Sequence, residues 1–493
     1  MFKKFSNNKG SIFLISYFVI VIFLGIGAAF LSLSTSEARV SERQRLTTVA
    51  FHIAEAGMEK ALYDLRQDFV NAVGTPSWAD GDINGFAIGP DTSNYYSIPY
   101  ASTTLNGGSY TVTLKNVIGG EDVWVKSVGT IGGVSHTIDV YVRMVNLSPW
   151  DNAIFAGAGA SGTMINGNVD IRGSVHILGT GLADGDLAVN LGGTAEIVGN
   201  NYSGVDAALV ARVPALATTV FNGETVETLN AELRVKKGIV GISGSSSVGQ
   251  ADVAGNGFKE TVDGVFVTDG FSGNKGTAGV YSDNGTSHAY DLGDTVSFPS
   301  LSDPYPGYAT YQDYLKANAL VLTTEMSAIT PASSFSYSNA NGSISMDGSG
   351  NMVVSGIVYI DGSNNLNMSK AGSNKTITYS GKGSILVTGS AQVNVDLVTS
   401  GSNSFPTNIL GIMTPNNIDF NEAGIDVMGV FYAENSVVVQ KQTDMMGTIV
   451  SNFFNVGTNV PAVYQVPDVV NNLPPGMIGS NSIWYMVVAW LKS

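Results

Sequence analysis

The period of the hydrophobic and polar positions changes three times along the chain. Ile12 to Leu33 runs for 22 residues without a charge. As a helix that run spans about 33 Å, enough to cross a bilayer core, and it exceeds the ~7–15 apolar residues of a secretory signal. From Leu46 onward the apolar residues thin to Val49, Ala50, Ile53, Gly57, Ala61, Leu65 and Phe69. Steps of three and four mark one helical face. Arg43, Gln44, Glu55, Glu59 and Asp64 fill much of the rest, and Gly74-Thr75-Pro76 closes the pattern. One stem helix over 11–73 is predicted, about 95 Å long. Residues 108–145 then alternate with a period of two in "YTVTL", "VWVKSVG" and "TIDVYVRMV", with Gly119-Gly120 and Gly132-Gly133 between them. That pattern predicts three antiparallel strands joined by tight turns.

From Asp151 short alternating segments recur. "MINGNVDIRGSVHILG" at 164–179 is followed by "IVYIDGSNNLNMS" from 357, "ILVTGSAQVNVDL" from 385, "LGIMTPNNIDFNE" from 410, "GVFYAENSVVVQK" from 429 and "GTIVSNFFNVGTN" from 447. Each reads as a strand, a corner of small residues and a second strand. A period of roughly 20 residues suits the coils of a parallel β-solenoid, with asparagines stacking at the corners. The rival is a β-sandwich of hairpins, and the register across five segments favours the solenoid. The fold class is thus mainly β with a long N-terminal α-helix. Residues 309–320 look helical and separate an early run of coils from a later one. The predicted layout is a leader at 1–10, the stem at 11–73, a sheet domain at 74–148, solenoid at 149–300, a partly helical insertion at 301–333, solenoid at 334–470 and a capping strand at 471–493.

Composition narrows the function. Charged residues make up 13% and glycine 59 of 493 positions, and cysteine is absent. The absence removes disulfides, thiolate metal sites and thiol nucleophiles. Net charge is −16. Residues 1–148 hold 11 Lys and Arg against 12 Asp and Glu, while 149–493 hold 13 against 28. So acidic a C-terminal part repels phosphate backbones, which excludes nucleic acid as an expected partner.

Candidate chemistry is sparse. "DGDINGFAIGPD" at 80–91 fits an EF-hand-like calcium loop with Asp80, Asp82, Asn84, the Phe86 carbonyl and Asp91 as oxygen ligands. Its last position is Asp rather than Glu, and an Asx-turn loop is the plainer alternative. Glycoside hydrolysis needs two facing carboxylates, for which Asp396, Asp419, Glu422 and Asp426 lie on or near adjacent predicted coils. Nothing further marks them as an enzyme site. His52, His136, His176 and His288 are scattered without metal-ligand spacing. Glu55 reads as a solvated helix residue or as a contact to another stem.

The stretch "KGSIFLISYFVIVIFLGIGAAFLSLSTSEARVSERQRLTTVAFHIAEAGMEKAL" resembles the N-terminal region of PilX-type pilus assembly proteins, a group of minor pilins. Carrying the resemblance are the basic leader ending in Gly10, the apolar run, the Arg-containing segment and "AFHIAEAGMEKAL". It implies a type IV pilin stem, cleavage by a prepilin peptidase between Gly10 and Ser11, and residence in the inner membrane before assembly into a pilus at the cell surface. Other pilins and the assembly machinery are the implied partners, and an extracellular glycan or protein is the expected ligand of the solenoid. Major pilins carry Glu at the fifth mature position, where this chain has Ile15. A buried carboxylate is costly unless paired, and its absence disfavours a homopolymer. The expected role is a minor pilin-like subunit for assembly, adhesion or display. The alternatives are a membrane-anchored envelope protein and a surface polysaccharide-active enzyme on a β-helix.

Overall fold

A computed structural model describes residues 8–71, 82–83, 86–87, 94–101, 103–116, 122–146, 148–158, 164–183, 185–221, 223–250, 264–267, 279–281, 298–323, 326–362, 364–455, 461–479 and 483–492. The chain divides into two compact units, Met1–Asn146 with Ile483–Ser493, and Leu147–Ser482.

In the first unit the stem is one helix, Asn8–Asn71. Its second half packs on an antiparallel sheet ordered Tyr96–Ser97, Gly108–Asn116, Asp122–Ile131, Val134–Asn146 and Ile483–Lys492. Ile131 pairs with Val134 across Gly132-Gly133, whose φ values of +55° and +78° suit a two-residue hairpin turn. Ile53, Ala54, Met58, Ala61, Leu62 and Leu65 bury against Val112, Leu114, Val123, Val125, Ile138 and Val140. The helix lies close because Gly129 lacks a side chain. A Cβ there would sit 2.2 Å from the Ala50 carbonyl oxygen.

Ile483–Lys492 corrects one expectation. The final apolar strand does not cap the solenoid but pairs with Val134–Asn146, with Ile483 opposite Asn146. A strand of this length fits the long open edge left by 134–146, which would otherwise be unpaired. The whole second unit is therefore spliced into the position of a hairpin loop.

The second unit is a three-sided parallel solenoid. Along one coil the chain runs through 356–360, 366–369 and 376–380, and these three strands define faces A, B and C. On face A, Ser384 lies opposite Ile357, Gly411 opposite Ser384, Val430 opposite Gly411 and Thr448 opposite Val430. Val358, Ile385, Ile412, Phe431 and Ile449 form one inward row, each at most 1% exposed. Each coil leaves an apolar edge that only its neighbour covers, so stacking supplies the core. Asparagines support one corner. The Asn364 side-chain amide donates to the Thr323 carbonyl at 3.2 Å, that of Asn416 to the Thr388 carbonyl at 3.0 Å, and the Asn435 backbone N–H to the Asn416 carbonyl at 3.2 Å.

The order of coils differs from the order in sequence. Ile449 pairs in parallel with Ile154, and Asp170 with Ala462. The last coil of the later run thus stacks directly on the first coil of the earlier run. Face A then continues through Val175–Ile177, Glu232–Val235 and Gly264–Val267. The chain enters this unit in the middle of the stack and leaves from the middle. Trp150 Nε1 donates to the Ile478 carbonyl at 2.7 Å and so holds the two ends together. The segment 298–319 links the runs along the outer side of face A. Phe298 stacks on Phe155 and Tyr432, Tyr432 Oη donates to the Pro299 carbonyl at 2.6 Å, and Gln312 Nε2 donates to Tyr359 Oη at 2.9 Å. Within this segment the helix Tyr311–Ala317 begins at a Thr310 cap whose side chain accepts from the Asp313 N–H.

Candidate functional site

The stem carries the clearest unmet chemistry. Ile12, Phe13, Ile15, Phe18, Leu24 and Leu31 are each at least 58% exposed. Among the described residues one helix is long and apolar enough to cross a membrane, and none of its most apolar window is buried in the protein. Exposed apolar surface on this scale requires a bilayer or neighbouring helices to cover it. Gly10, Ser11 and Ile15 lie on this helix. Glu55 is bonded to His52 Nδ1 at 2.8 Å, one turn back on the same helix. The more deeply placed acid is Asp64, which the sequence pattern groups with the polar side of the helix. Asp64 is 2% exposed and pairs with Lys60 Nζ at 3.2 Å, and Lys60 lies over the Tyr100 ring. The position of Asp64 two turns along from Gly57, on the edge of the apolar stripe, is the signal that could have placed it there.

Of the calcium-loop residues, Asp80, Asn84 and Asp91 lie outside the described residues. Asp82 and Phe86 lie on a short antiparallel pair, with Asp82 opposite Ala87 and Ile83 opposite Phe86. Among the described residues no group of three His, Asp or Glu is placed to hold a metal ion.

The four acids considered for glycoside chemistry divide between faces. Asp419 is on face B, and Glu422 pairs with Lys370 at 3.1 Å. Asp396 and Asp426 belong to face C, where the register places Asp396, Asp426, Asp444, Ala462, Asp170 and Glu196 in one row. Adjacent strands are about 4.8 Å apart, so this is a ladder of like charges. Asp396 is restrained by Lys375 at 3.0 Å and by the Thr376 hydroxyl at 3.0 Å, and Asp170 by Arg172 at 2.9 Å. Among the described residues Asp444 has no such cation. Burial, then Asp426, Asp206 and Asp170, push its carboxyl up to about 6. Asp426 is raised as well, first by burial and then by Asp396. Ala462 breaks the row where a further charge would add to this repulsion. Chemically the ladder repels anions and takes up protons readily, whereas the paired carboxylates of a glycosidase flank a bound sugar from opposite sides.

The histidines do not converge. His52 is exposed on the stem, His136 packs edge-on against Phe51, and His288 lies outside the described residues. His176 is fully buried on face A between Phe155 and Arg234. Burial, reinforced by Arg234 and Lys236, holds it neutral, well below the usual imidazole range.

A long exposed apolar stem continuing into a helix-on-sheet domain defines a pilin-like fold, here with a β-solenoid spliced into the sheet. Comparison with solved structures agrees. The chain is similar to the competence-associated pilin ComZ from Thermus thermophilus, with a TM-score of 0.53 and 20% identity over 91% of this chain and 97% of that one. No protein-family model and no curated protein matches the chain.

Proposed function

We propose that this protein is a minor pilin-like subunit of a type IV filament that presents its solenoid at the cell surface. The observation carrying this reading is the uninterrupted helix Asn8–Asn71, apolar and exposed in its first half and packed on a sheet in its second. Such a stem is held by the inner membrane before assembly and by the stems of other pilins afterwards. Gly10–Ser11 is the proposed prepilin peptidase site, on the PilX-type resemblance of about the first 65 residues. Without a carboxylate at Ile15, the new amine of Ser11 gains no partner from a second copy of this chain, which supports a sparse or terminal position. Glu55, half-exposed beside His52, is the proposed contact to a neighbouring stem. The acid ladder and the −16 net charge support a display role toward partners other than nucleic acid. The residues at 80–91 remain the proposed calcium loop.

The mass of the N-terminal peptide of protein purified from its own cells tests this. A chain beginning at Ser11, with or without a methyl group on its amine, is the expected result. A mature chain that still begins at Met1 would sink the proposal.

A further inference from the structure

Four tyrosines gather on the segment that links the two runs of coils, in the sequence "YPGYATYQDY" at 305–314. Tyr305-Pro306-Gly307-Tyr308 is a tight turn. The Tyr308 N–H donates to the Tyr305 carbonyl at 2.9 Å, and Gly307 has φ +83°. Proline at the second position and a positive φ at the third are what a type II turn requires. The turn fixes two rings against the following helix. Tyr305 stacks on Tyr314 with centroids 4.2 Å apart, and Tyr308 meets Tyr314 edge-on at 5.5 Å. Tyr311 Oη donates to the Gly476 carbonyl at 3.2 Å and ties the group to the solenoid. Tyr308 is 39% exposed, and Ser302, Asp303, Pro304, Pro306, Ala309 and Asp313 around it are exposed as well.

A rigid turn bearing an outward aromatic ring is more than packing requires, because Tyr311 and Leu315 already anchor the helix. The chemistry of the patch selects its ligand. Rings in mutual contact leave no gap between them for a cation, so this is not an aromatic cage. Asp303 and Asp313, exposed on the same segment, disfavour phosphate, sulfate and uronic acids. Lys316 offers little compensation, being paired with Asp361 at 2.7 Å. A stable protein interface needs about 800 Å² from each partner, far more than a patch centred on one ring provides. What fits is a neutral pyranose. A sugar whose ring substituents are all equatorial has a flat face of C–H bonds, which lies on an aromatic ring. Its hydroxyls then meet the rim, here Tyr308 Oη with the Asn318 amide 3.4 Å away.

We propose that the Tyr305–Tyr314 patch binds neutral, β-1,4-linked glycan chains through stacking on Tyr308. This deepens the display reading and rests on it for its setting, but the binding itself is a property of the isolated protein. Failure to bind sugar would leave the N-terminal mass result untouched, and a chain beginning at Met1 would leave sugar binding untouched.

The test is titration of the full-length chain, held in a detergent without a sugar headgroup, with cellohexaose, chitohexaose and oligogalacturonate. At least one neutral hexamer is expected to bind, and Tyr308→Ala to weaken it roughly three- to tenfold, with Tyr308→Phe, which keeps the ring, weakening it less than Tyr308→Ala. In saturation-transfer NMR on the wild-type protein, irradiating aromatic protons should label the axial ring protons of the sugar most strongly. That readout does not depend on any variant folding. The proposal is overturned if neither neutral hexamer binds at millimolar concentration, if oligogalacturonate binds more tightly, if folded Tyr308→Ala binds as well as wild type, or if axial protons are not the most strongly labelled.

Discussion

Asp444 stands on the carboxylate ladder with Asp426 on the strand before it and Asp170 two strands beyond. Its folded-state pKa of about 6 lies above the ~3.9 of an unfolded aspartate. The folded chain therefore binds this proton more tightly than the unfolded one. The stabilising contribution of the proton is complete below pH ~4 and is lost as pH rises through about 6. At neutral pH the carboxylate is a net cost, shared with Asp206 and Asp426 and partly screened by water. Asp444→Asn should stabilise the protein at pH 7 by about 1–2 kcal/mol and flatten its stability between pH 4 and 6. Urea titrations of both proteins across that range check this, and equal pH slopes would contradict it. Little of this was legible in the sequence. Asp396 and Asp426 are close enough along the chain to be noticed together. Asp170 joins them only because the last coil of one run stacks on the first coil of the other, and no local pattern announces a contact between Asp170 and Ala462.

At the scale of elements, the alternation of apolar and polar residues made the sheet strands and the later coils readable, because each position answers to a neighbour at a regular interval. The stem was readable for the same reason, since Val49 to Leu65 lie on one helical face. Of the segment 298–319 the helix was readable, at 309–320, but its contacts were not. Its helix is short, and its importance comes from what it crosses. Phe298 lies between Phe155 of the early run and Tyr432 of the later one, with Leu301 N–H donating to Glu434 at 2.6 Å nearby. It therefore covers the join between the two runs. Phe298→Ala removes a partly buried ring from that join and should cost about 2–3 kcal/mol, below the range for fully buried aromatics. The loss should be local, so hydrogen exchange is the measurement. Amides of 154–156 and 430–433 should exchange faster, while those of 382–387, further along the same face, should be unchanged. Uniform acceleration over both sets would mean that the segment is not a local cover.

At the scale of the whole molecule, the splice between Asn146 and Ile483 separates two jobs that the chain must perform. The sheet needs the last strand as a partner for Val134–Asn146, and the second half of the stem needs that sheet to bury its apolar face. The solenoid needs its first and last coils beside each other, which Trp150 and Ile478 secure. Because Asn146 and Ile483 are register partners, two residues suffice to join them. An Asn-Gly linker has the backbone preference that a two-residue hairpin demands. Replacing 147–482 with Asn-Gly should therefore leave the helix-on-sheet unit folded in detergent, with amides of 123–131 and 134–142 as protected from exchange as in the full chain. The complementary piece, 148–479, should fold as a monomer and keep the stability change between pH 4 and 6 assigned to Asp444, since every group on the ladder lies within it. Loss of protection in the shortened chain would show that the sheet depends on the solenoid for its stability. Loss of the pH response in the isolated solenoid would move the source of that response outside the ladder.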